Sequence, residues 1–418
     1  MSVFTRSRAG RVIGGVAVAT VSAILLAGCA GGSTPAESSA PADREDLTLK
    51  VGTVLPQTGS LSYLGPPEEA GALLAVKEVN EAAKGITIDL TRGDSGDADN
   101  KAFETTVPKL QSEGVSAMIG AAASGVTKLF LDSNVSAGII TFSPANTSPD
   151  FTTWDDNGLY WRTAPSDLLQ GEVLGNLLAE DGHKNIGIIY QNDAYGTGLF
   201  GVVKEVFEST GGTVVAEASY NDGEGQFDAQ VQTIAAANPD AVVLITFDQF
   251  ATIAPLLVNA GQDAKNFYLV DGNLKQWGSQ VAVSLEGAKG TTPGPVLEDD
   301  FLERLNAVWV ETAGAELSDL SYAAESYDAV ILLALASLAA NSTDATEIAG
   351  KLQEVSGGSG DGEKCTSFSE CADIILDGGV ADYDGYSGPI TFDENGDPTE
   401  ATIGIFQYGA DNTHSRIN

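Results

Sequence analysis

The sequence has few of the residues that most often perform catalysis or bind nucleic acid. It contains two histidines, His183 and His414, three cysteines, and 21 basic residues against 58 acidic ones. A chain so poor in lysine and arginine cannot replace the counterions of nucleic acid, which excludes nucleic acid as a partner. The GxSxG and HExxH motifs, typical of serine hydrolases and zinc hydrolases, are also absent from the sequence. We therefore expect no enzyme activity, no metal site and no cofactor.

The first 28 residues have the three parts of a secretory signal peptide. Three arginines supply positive charge between residues 6 and 11, and the uncharged apolar run 12–26 follows them. The chain then reads Leu26-Ala27-Gly28-Cys29, which resembles the bacterial lipobox, in which the cysteine receives a lipid before cleavage. This resemblance implies a lipoprotein anchored through Cys29 to the outer face of the cell membrane. A plain signal peptide and a single spanning helix are the alternatives, but a span needs about 20 residues.

Cleavage before Cys29 leaves 390 residues, with 18 basic and 58 acidic side chains and a formal charge of −40. We attribute this acidity to a solvated surface. Residues 29–46 are rich in Gly, Ser, Pro and Ala, so we expect a lipidated flexible tether. After Cys29 no apolar run is long enough to span a bilayer, and the run 329–340 has only the length of a core helix.

Two cysteines remain beside the predicted anchor. Cys365 and Cys371 lie six residues apart in a loop rich in glycine and serine. Because an exported protein folds in an oxidising compartment, we expect a disulfide between them. A metal site is the weaker interpretation, since no histidine is near.

Segments typical of strands and helices alternate from Leu47 onward, in one block up to Phe142 and a second block from Asp167 to Val270. This alternation predicts parallel sheets with helices on both faces. The two blocks are similar in size, so we expect an α/β protein with two Rossmann-like lobes. Three helices are predicted between residues 298 and 355. Glu394–Asp397 is typical of a hairpin turn, here between residues 389–392 and 401–408.

In such sheets, ligands bind beyond the carboxyl ends of the strands. Ser124 follows a predicted strand and is expected to cap the next helix, where a hydroxyl suits a carboxylate. The loop 143–149 contains two prolines and small polar residues, so its backbone N–H and C=O groups are available to a ligand. Asp271 ends another predicted strand and could face a cation across a cleft. A cap or a turn also explains each of these residues taken singly.

Two further motifs favour structural roles. Gly196–Gly201 matches GxGxxG, but Asn192–Tyr195 intervene between the predicted strand and the first glycine. A turn with close helix–strand packing is therefore favoured over a nucleotide site. Asp393, Asn395 and Asp397 alternate like the ligands of a calcium loop, but the glutamate at the twelfth position is missing. A turn is the better interpretation there too.

Six segments together resemble the branched-chain amino acid (Leu/Ile/Val-type) substrate-binding proteins of ABC importers. The resemblance runs from about Leu47 to Tyr408. It implies a type I periplasmic-binding fold, in which a three-stranded hinge joins the lobes. It also implies that the cleft captures an amino acid, branched-chain or aliphatic, or a related small amide, and delivers it to a membrane permease. The segments are residues 52–59, 119–124, 143–149, 161–164, 194–198 and 388–393.

The same resemblance implies roles for individual residues. Ser124 would hold the α-carboxylate of an amino acid. Ala145 and Thr147 would bind the carboxylate and the ammonium through backbone groups and a hydroxyl. Asp271 would pair with the α-ammonium. Three aromatic residues would contact or close over the ligand, namely Tyr63, Tyr195 and Phe247.

We predict that the first lobe comprises residues 47–164 and 294–386, and the second lobe residues 165–293 and 387–418. The chain would then cross between the lobes near Ala164–Pro165, Thr292–Gly294 and Tyr386–Gly388. The expected protein is a monomer that delivers its ligand to an ABC permease. A lipoprotein of the same fold that senses its ligand and signals to a membrane receptor is the alternative.

Overall fold

The computed structural model describes residues 44–418 of the chain. The predicted signal peptide, Cys29 and the tether up to residue 43 lie outside the described residues. Strands and helices alternate in the first part of the described chain. These elements are β1 (Leu47–Val54), α1 (Gly65–Ala82), β2 (Ile86–Thr91), α2 (Phe103–Glu113), β3 (Ala117–Gly120), α3 (Ser124–Ala137), β4 (Ile140–Ser143) and β5 (Tyr160–Arg162).

The first sheet is parallel throughout, with the strand order β2-β1-β3-β4-β5. Every residue of β3 and β4 is buried, as expected for parallel strands covered by helices on both faces. The carboxyl ends of β1, β3 and β4 therefore lie at one edge of the sheet. The loops that follow these strands meet at that edge.

A second alternating block follows β5. Its elements are α4 (Asp167–Glu180), β6 (Asn185–Gln191), α5 (Ala194–Ser209), β7 (Thr213–Tyr220), α6 (Asp228–Ala237), β8 (Ala241–Ile245), α7 (Phe250–Asn259), β9 (Phe267–Leu269) and β10 (Lys289–Pro293). The strands β10-β9-β8-β6-β7 pair in parallel in that order. The prediction of two α/β lobes with parallel sheets is confirmed.

The rest of the chain completes both lobes. Its elements are α8 (Asp299–Ala313), α9 (Ala323–Ala340), α10 (Ala345–Val355), β11 (Glu363–Cys365), α11 (Phe368–Leu376), β12 (Ala381–Tyr383), β13 (Ile390–Phe392), β14 (Pro398–Glu400), β15 (Ile403–Tyr408) and β16 (His414–Arg416). The helices α8 to α11 share the apolar core of the first sheet. The strands β15 and β16 extend the second sheet in the antiparallel sense, beside β10.

The third crossing between the lobes lies later in the chain than we predicted from Tyr386–Gly388. Ile390 and Phe392 on β13 are buried in the first lobe's core, where the ring of Phe392 lies 5.1 Å from that of Trp161. The crossing instead falls at residues 401–402, between β14 and β15. The predicted hairpin partner was also wrong, because β13 pairs with β14 and not with residues 401–408. Burial of the Phe392 ring keeps this hairpin on the first lobe.

The helix α9 forms the centre of the first lobe. Among the described residues it is the one helix long and apolar enough to cross a membrane, but 89% of its apolar window is buried inside the protein. It packs closely on α1, because a Cβ on Gly71 would lie 2.1 Å from the carbonyl oxygen of Ala323. The apolar sequence of α9 therefore reflects its place in the core.

The predicted disulfide between Cys365 and Cys371 is present, and the Cα atoms of the two residues are 5.4 Å apart. Both cysteines are buried. The bond links β11 to α11 at the periphery of the first lobe. A short segment with little apolar content is thereby held against the core.

Four acidic side chains of α1 and α9 are buried, namely Glu68, Glu69, Glu325 and Asp328. Glu68 is fully buried, and neither of its carboxylate oxygens has a hydrogen-bond partner among the described residues. Burial, and then the charges of Glu69 and Glu325, raise the pKa of Glu68 well above its ordinary value. Burial also raises the pKa of Glu325 to about 8 and that of Asp328 to about 6. The folded chain therefore holds protons at a pH where the unfolded chain has released them.

We expect the free energy of unfolding to fall as the pH rises from about 4 to about 8, because stability decreases wherever the folded state binds more protons than the unfolded state. Glu325→Gln removes one of the responsible groups, so this loss of stability should be smaller in the variant. Urea unfolding at a series of pH values measures the effect. Glu316→Gln, at an exposed position, is the matched control. An equal loss of stability in both variants would contradict the explanation.

Candidate functional site

The loop after β4 is held against the loop after β3. Ser143 Oγ donates to the carbonyl oxygen of Ala121 at 2.7 Å. Ser143 Oγ also accepts hydrogen bonds from the backbone N–H groups of Ala145 and Asn146, at 3.3 and 2.9 Å. Asn146 Nδ2 donates to the carbonyl oxygens of Ala121 and Ala122 at 2.9 and 2.8 Å. These bonds fix Ala145 at the carboxyl edge of the first sheet.

Arg162, the last residue of β5, fixes the other half of this loop from below. Its side chain is fully buried, and its Nη1 donates to the carbonyl oxygens of Asn146 and Ser148 at 3.2 and 2.8 Å. Its Nε and Nη2 donate to the two carboxylate oxygens of Asp397 at 2.6 and 2.8 Å. Such a bidentate pair restrains the orientation of the guanidinium as well as its position. The turn 393–397 thus supports the loop at the site.

Ser124 begins α3 but does not cap it, contrary to our expectation. Ala123 is the N-cap residue, and no side chain caps this helix. The Ser124 side chain is buried, and its Oγ accepts the N–H group of Ser148 at 3.4 Å. The hydroxyl therefore faces the loop after β4. It also lies at the start of α3, where free backbone N–H groups favour an anion.

Asp271 follows β9 in the second lobe and accepts hydrogen bonds from both lobes. Tyr195 OH and Gln170 Nε2 donate to its Oδ1 at 2.6 and 3.2 Å. Tyr322 OH, from the first lobe, donates to its Oδ2 at 2.7 Å. Tyr63 OH, also from the first lobe, donates to its carbonyl oxygen at 2.9 Å. These contacts across the cleft define a closed arrangement of the lobes.

A second buried carboxylate lies in the same electrostatic environment. Asp167 begins α4, and its Oδ2 accepts a hydrogen bond from Thr147 Oγ1 at 2.9 Å. Its Oδ1 has no partner among the described residues. Burial, and then the charge of Asp271, raise the pKa of Asp167 well above its ordinary value. Burial raises the pKa of Asp271, against which the hydrogen bonds from Tyr195 and Tyr322 act. Two buried acids that repel each other favour a cation between them.

A small cavity lies between these groups. Ser124 and Ala145 line it from the first lobe, and Tyr195, Phe247 and Asp271 from the second. The rings of Tyr195 and Phe247 stack with their centroids 5.4 Å apart. About 10 Å³ of the cavity is open to the centre of a water molecule, which is room for about one water. A larger ligand therefore requires the lobes to separate before it can enter.

The structure brings most of the predicted site residues together, and five of the seven line the cavity. Tyr63 and Thr147 do not line it, but each makes a hydrogen bond to an aspartate of the site. The roles that the family resemblance implies for all seven residues stay predictions at this point.

Sequence reasoning missed three polar residues of the site and two apolar ones. Asp167 and Gln170 belong to α4, and Tyr322 precedes α9; none of them follows a strand, which was the criterion we applied. An acid at the first turn of a helix is usually explained by the helix dipole, so Asp167 gave no signal. The missed apolar residues that line the cavity are Leu61 and Leu64.

The GxGxxG glycines permit close packing. A Cβ on Gly196 would lie 2.0 Å from the carbonyl oxygen of Gln191, and one on Gly198 would lie 2.8 Å from Pro149 Cδ. The first contact packs α5 against the end of β6, and the second packs it against the opposite lobe. Gly201 has no neighbouring atom within 4 Å of such a Cβ. The geometry agrees with the packing interpretation of this motif.

Two parallel-sheet lobes with a small closed cavity between them are typical of two-lobed ligand-binding proteins. The chain belongs to the periplasmic binding protein family, whose sequence model matches residues 48–373.

Several relatives share part of the sequence. The Leu/Ile/Val-binding protein homolog 1 of Brucella abortus is 30% identical over 313 residues, covering 73% of this chain and 82% of the relative. The leucine-, isoleucine-, valine-, threonine-, and alanine-binding protein of Pseudomonas aeruginosa is 28% identical over 190 residues, 45% of this chain and 50% of that protein. The chain thus spans half the length of the Pseudomonas protein. A chemotactic signal transduction substrate-binding protein of Halobacterium salinarum is 24% identical over 362 residues, covering 82% and 83% of the two chains.

Solved structures share the fold. A leucine-binding protein of Thermotoga maritima superposes with a TM-score of 0.72 at 21% identity, over 88% of this chain and 98% of that one. A solute-binding protein of Rhodopseudomonas palustris in complex with benzoate superposes with a TM-score of 0.68 at 20% identity, over 89% and 96%.

Asp397→Ala should lower the free energy of unfolding by about 3–5 kcal/mol, because it leaves the buried guanidinium of Arg162 without its counter-charge. Urea unfolding measures the change. The exposed pair Lys204–Glu217 supplies the control, since Glu217→Ala should cost at most about 1 kcal/mol. Equal costs in the two variants would show that Arg162 does not need Asp397.

Proposed function

We propose that this protein is the extracytoplasmic solute-binding component of an ABC importer and captures an amino acid, branched-chain or aliphatic, between its lobes. One observation carries the proposal. The buried carboxylate of Asp271 lines the same small cavity as the Ser124 hydroxyl and the start of α3. A cation-favouring group therefore lies opposite an anion-favouring one, which is the arrangement that an α-ammonium and an α-carboxylate require.

The proposed roles follow from this polarity. The α-carboxylate accepts hydrogen bonds from Ser124 Oγ, the backbone N–H groups at the start of α3, and the backbone of Ala145. The α-ammonium lies between Asp271 and Asp167. It also donates a hydrogen bond to the hydroxyl of Thr147, which contacts Asp167. Leu61, Leu64 and Phe247 contribute apolar surface to the cavity and surround the ligand side chain. Tyr63 and Tyr195 complete the enclosure.

In this proposal, ligand binding closes the two lobes. Tyr322 and Tyr63 from one lobe reach Asp271 on the other, so a bound ligand lies among groups from both lobes and stabilises their closed arrangement. The closed form then docks on the permease. Brucella and Pseudomonas relatives named for branched-chain amino acids support this assignment. The Rhodopseudomonas protein binds benzoate, which has a carboxylate but no ammonium group, so the ligands named for these proteins share the carboxylate.

Sensing is the second candidate function. The Halobacterium relative is named for chemotactic signal transduction and matches 82% of this chain, which is specific support for a receptor-coupled role of the same fold. Permease and ATPase genes next to the gene for this chain favour import. A transducer gene in that position favours sensing.

Asp271→Ala should abolish amino-acid binding in the cavity between the lobes, because the α-ammonium loses its buried counter-charge. Ser124→Ala should weaken binding there by about 1–3 kcal/mol, the cost of one unsatisfied buried partner. Calorimetric titration of the purified protein with leucine, isoleucine and valine measures both effects. Asp228→Ala, an exposed acid of the second lobe, is the control. Nearly unchanged affinity in the Asp271 variant would disprove the assignment.

The ligand class is tested by a thermal-shift panel of amino acids, short amides, urea and dinucleotides, since a ligand that binds only the folded state raises its stability. A shift with aliphatic amino acids supports the proposal. A shift with amides alone would agree with a ligand-binding protein but would contradict a site for a zwitterion.

We also propose that Cys29 is acylated and holds the protein at the membrane. Two acyl chains on one cysteine would give stable attachment, which one chain alone does not. Cells expressing the chain should incorporate labelled palmitate into it, and Cys29→Ser should abolish incorporation and release the protein from the membrane fraction. Equal labelling of both forms would contradict the lipid anchor.

A further inference from the structure

A second cavity, of about 430 Å³, lies where two of the chain crossings run side by side. Gly294 in one crossing donates its N–H to the carbonyl oxygen of Thr402 in the other at 2.9 Å. The residues 318–322 form the first-lobe wall, and Phe406 with the strand β16 forms the second-lobe wall. This volume is within the range of small-molecule sites. The cavity differs from the one around Asp271, because the two linings share only Tyr322.

The wall of this cavity is mostly apolar, and the apolar surface continues at its rim. Among the lining residues, Val296 is 74% exposed and Leu320 is 38% exposed. Ile417, the neighbour of the lining residue Arg416, is 50% exposed. Single exposed apolar side chains are ordinary, but a group of them around a concave surface is typical of a binding site.

A buried carboxyl group and a guanidinium line the cavity without pairing with each other. The side chain of Glu325 is buried, and no described residue donates a side-chain hydrogen bond to it or lies within ion-pair distance. Arg416 lines the same cavity, and its Nε and Nη1 donate to Asn418 Oδ1 and the Gly294 carbonyl oxygen, both at 3.0 Å. Its Nη2 makes no hydrogen bond within the described part of the chain. Asp319 also lines the cavity, but its Oδ1 accepts the N–H of Ser321.

Both charges lie next to Gly294. Glu325 Oε1 is 3.2 Å from the position that a Cβ on Gly294 would take, and Arg416 contacts the carbonyl oxygen of the same residue. Both side chains therefore lie against the same residue of the cavity wall. Burial raises the pKa of Glu325 to about 8, and an ammonium beside this carboxylate would favour its ionised form.

We propose that this cavity is a second binding site, for an apolar zwitterion of amino-acid size, with its ammonium on Glu325 and its carboxylate on Arg416. We assign this site independently of what the Asp271 cavity binds. Because residues of both lobes line it, an occupant stabilises the closed arrangement. Tyr322 lines both cavities, so occupancy of either one changes the affinity of the other, and the change is reciprocal.

Calorimetric titration with L-leucine tests the proposal on the unmodified protein, on Asp271→Ala and on Leu320→Trp, whose larger side chain obstructs the second cavity. We expect two binding events in the unmodified protein, of which Asp271→Ala removes one and Leu320→Trp the other. If the Asp271 cavity takes no amino acid, a single event survives Asp271→Ala and is lost in Leu320→Trp. Val310→Trp, at a similarly exposed position on α8, should change neither event.

The charge assignment is tested on the event that survives Asp271→Ala. Glu325→Gln and Arg416→Gln should each weaken it by about tenfold or more, the usual effect of losing one charge-assisted hydrogen bond. Isopentylamine and 4-methylpentanoate, which each lack one charge of leucine, should bind about tenfold more weakly as well. Glu68→Gln, a nearby buried acid outside the cavity lining, should have no such effect. The proposal is overturned if Asp271→Ala binds no leucine, if Leu320→Trp leaves all binding intact, or if both charge variants bind normally.

Discussion

The bidentate ion pair between Arg162 and Asp397 supports the whole binding edge of the first lobe. It joins residues 235 positions apart in the chain, and all five N–H donors of the arginine have an acceptor. A fully buried guanidinium is tolerated only when it is satisfied in this way. Since Asp397 belongs to the turn between β13 and β14, this hairpin must stay on the first lobe. The loop that carries Ala145 and Thr147 therefore depends on a hairpin that lies just before the third crossing between the lobes.

Within the described part of the chain, several other buried carboxylates lack the basic partner that Asp397 has in Arg162. Asp167 and Asp271 at the proposed site, and Glu68 and Glu325 in the first lobe, are buried without a basic partner among the described residues. Their neighbours are hydroxyls, amides or other acids. Carboxylates in such surroundings favour protonation or an external cation. Perturbed acids are found at functional sites as well as in structural networks, so the geometry around each one has to decide its role.

Periodicity and segment length were sufficient to predict the two parallel sheets, because buried parallel strands and their covering helices have strong local patterns. They also indicated Ser124, Asp271 and the loop 143–149, which lie just after strands, whereas the role of Ala145 came from the family resemblance. They failed where long-range contacts decide. The third crossing was placed too early, because burial of Phe392, which no local pattern indicates, determines where the hairpin lies. Asp167 and Tyr322 reach the cavity from helix termini that are distant in sequence, and no local pattern indicates this convergence.

The tyrosine hydroxyls around Asp271 have a consequence for selectivity. In the closed arrangement Tyr195 and Tyr322 already donate short hydrogen bonds to its carboxylate. When a solute binds this carboxylate, hydrogen bonds are exchanged, because the donors of the solute must replace or join those of the protein. Its observed affinity is then a difference between two sets of hydrogen bonds. A molecule of suitable shape with too few hydrogen-bond donors gains little from the exchange. The protein therefore selects its ligand by the number of hydrogen-bond donors as well as by volume.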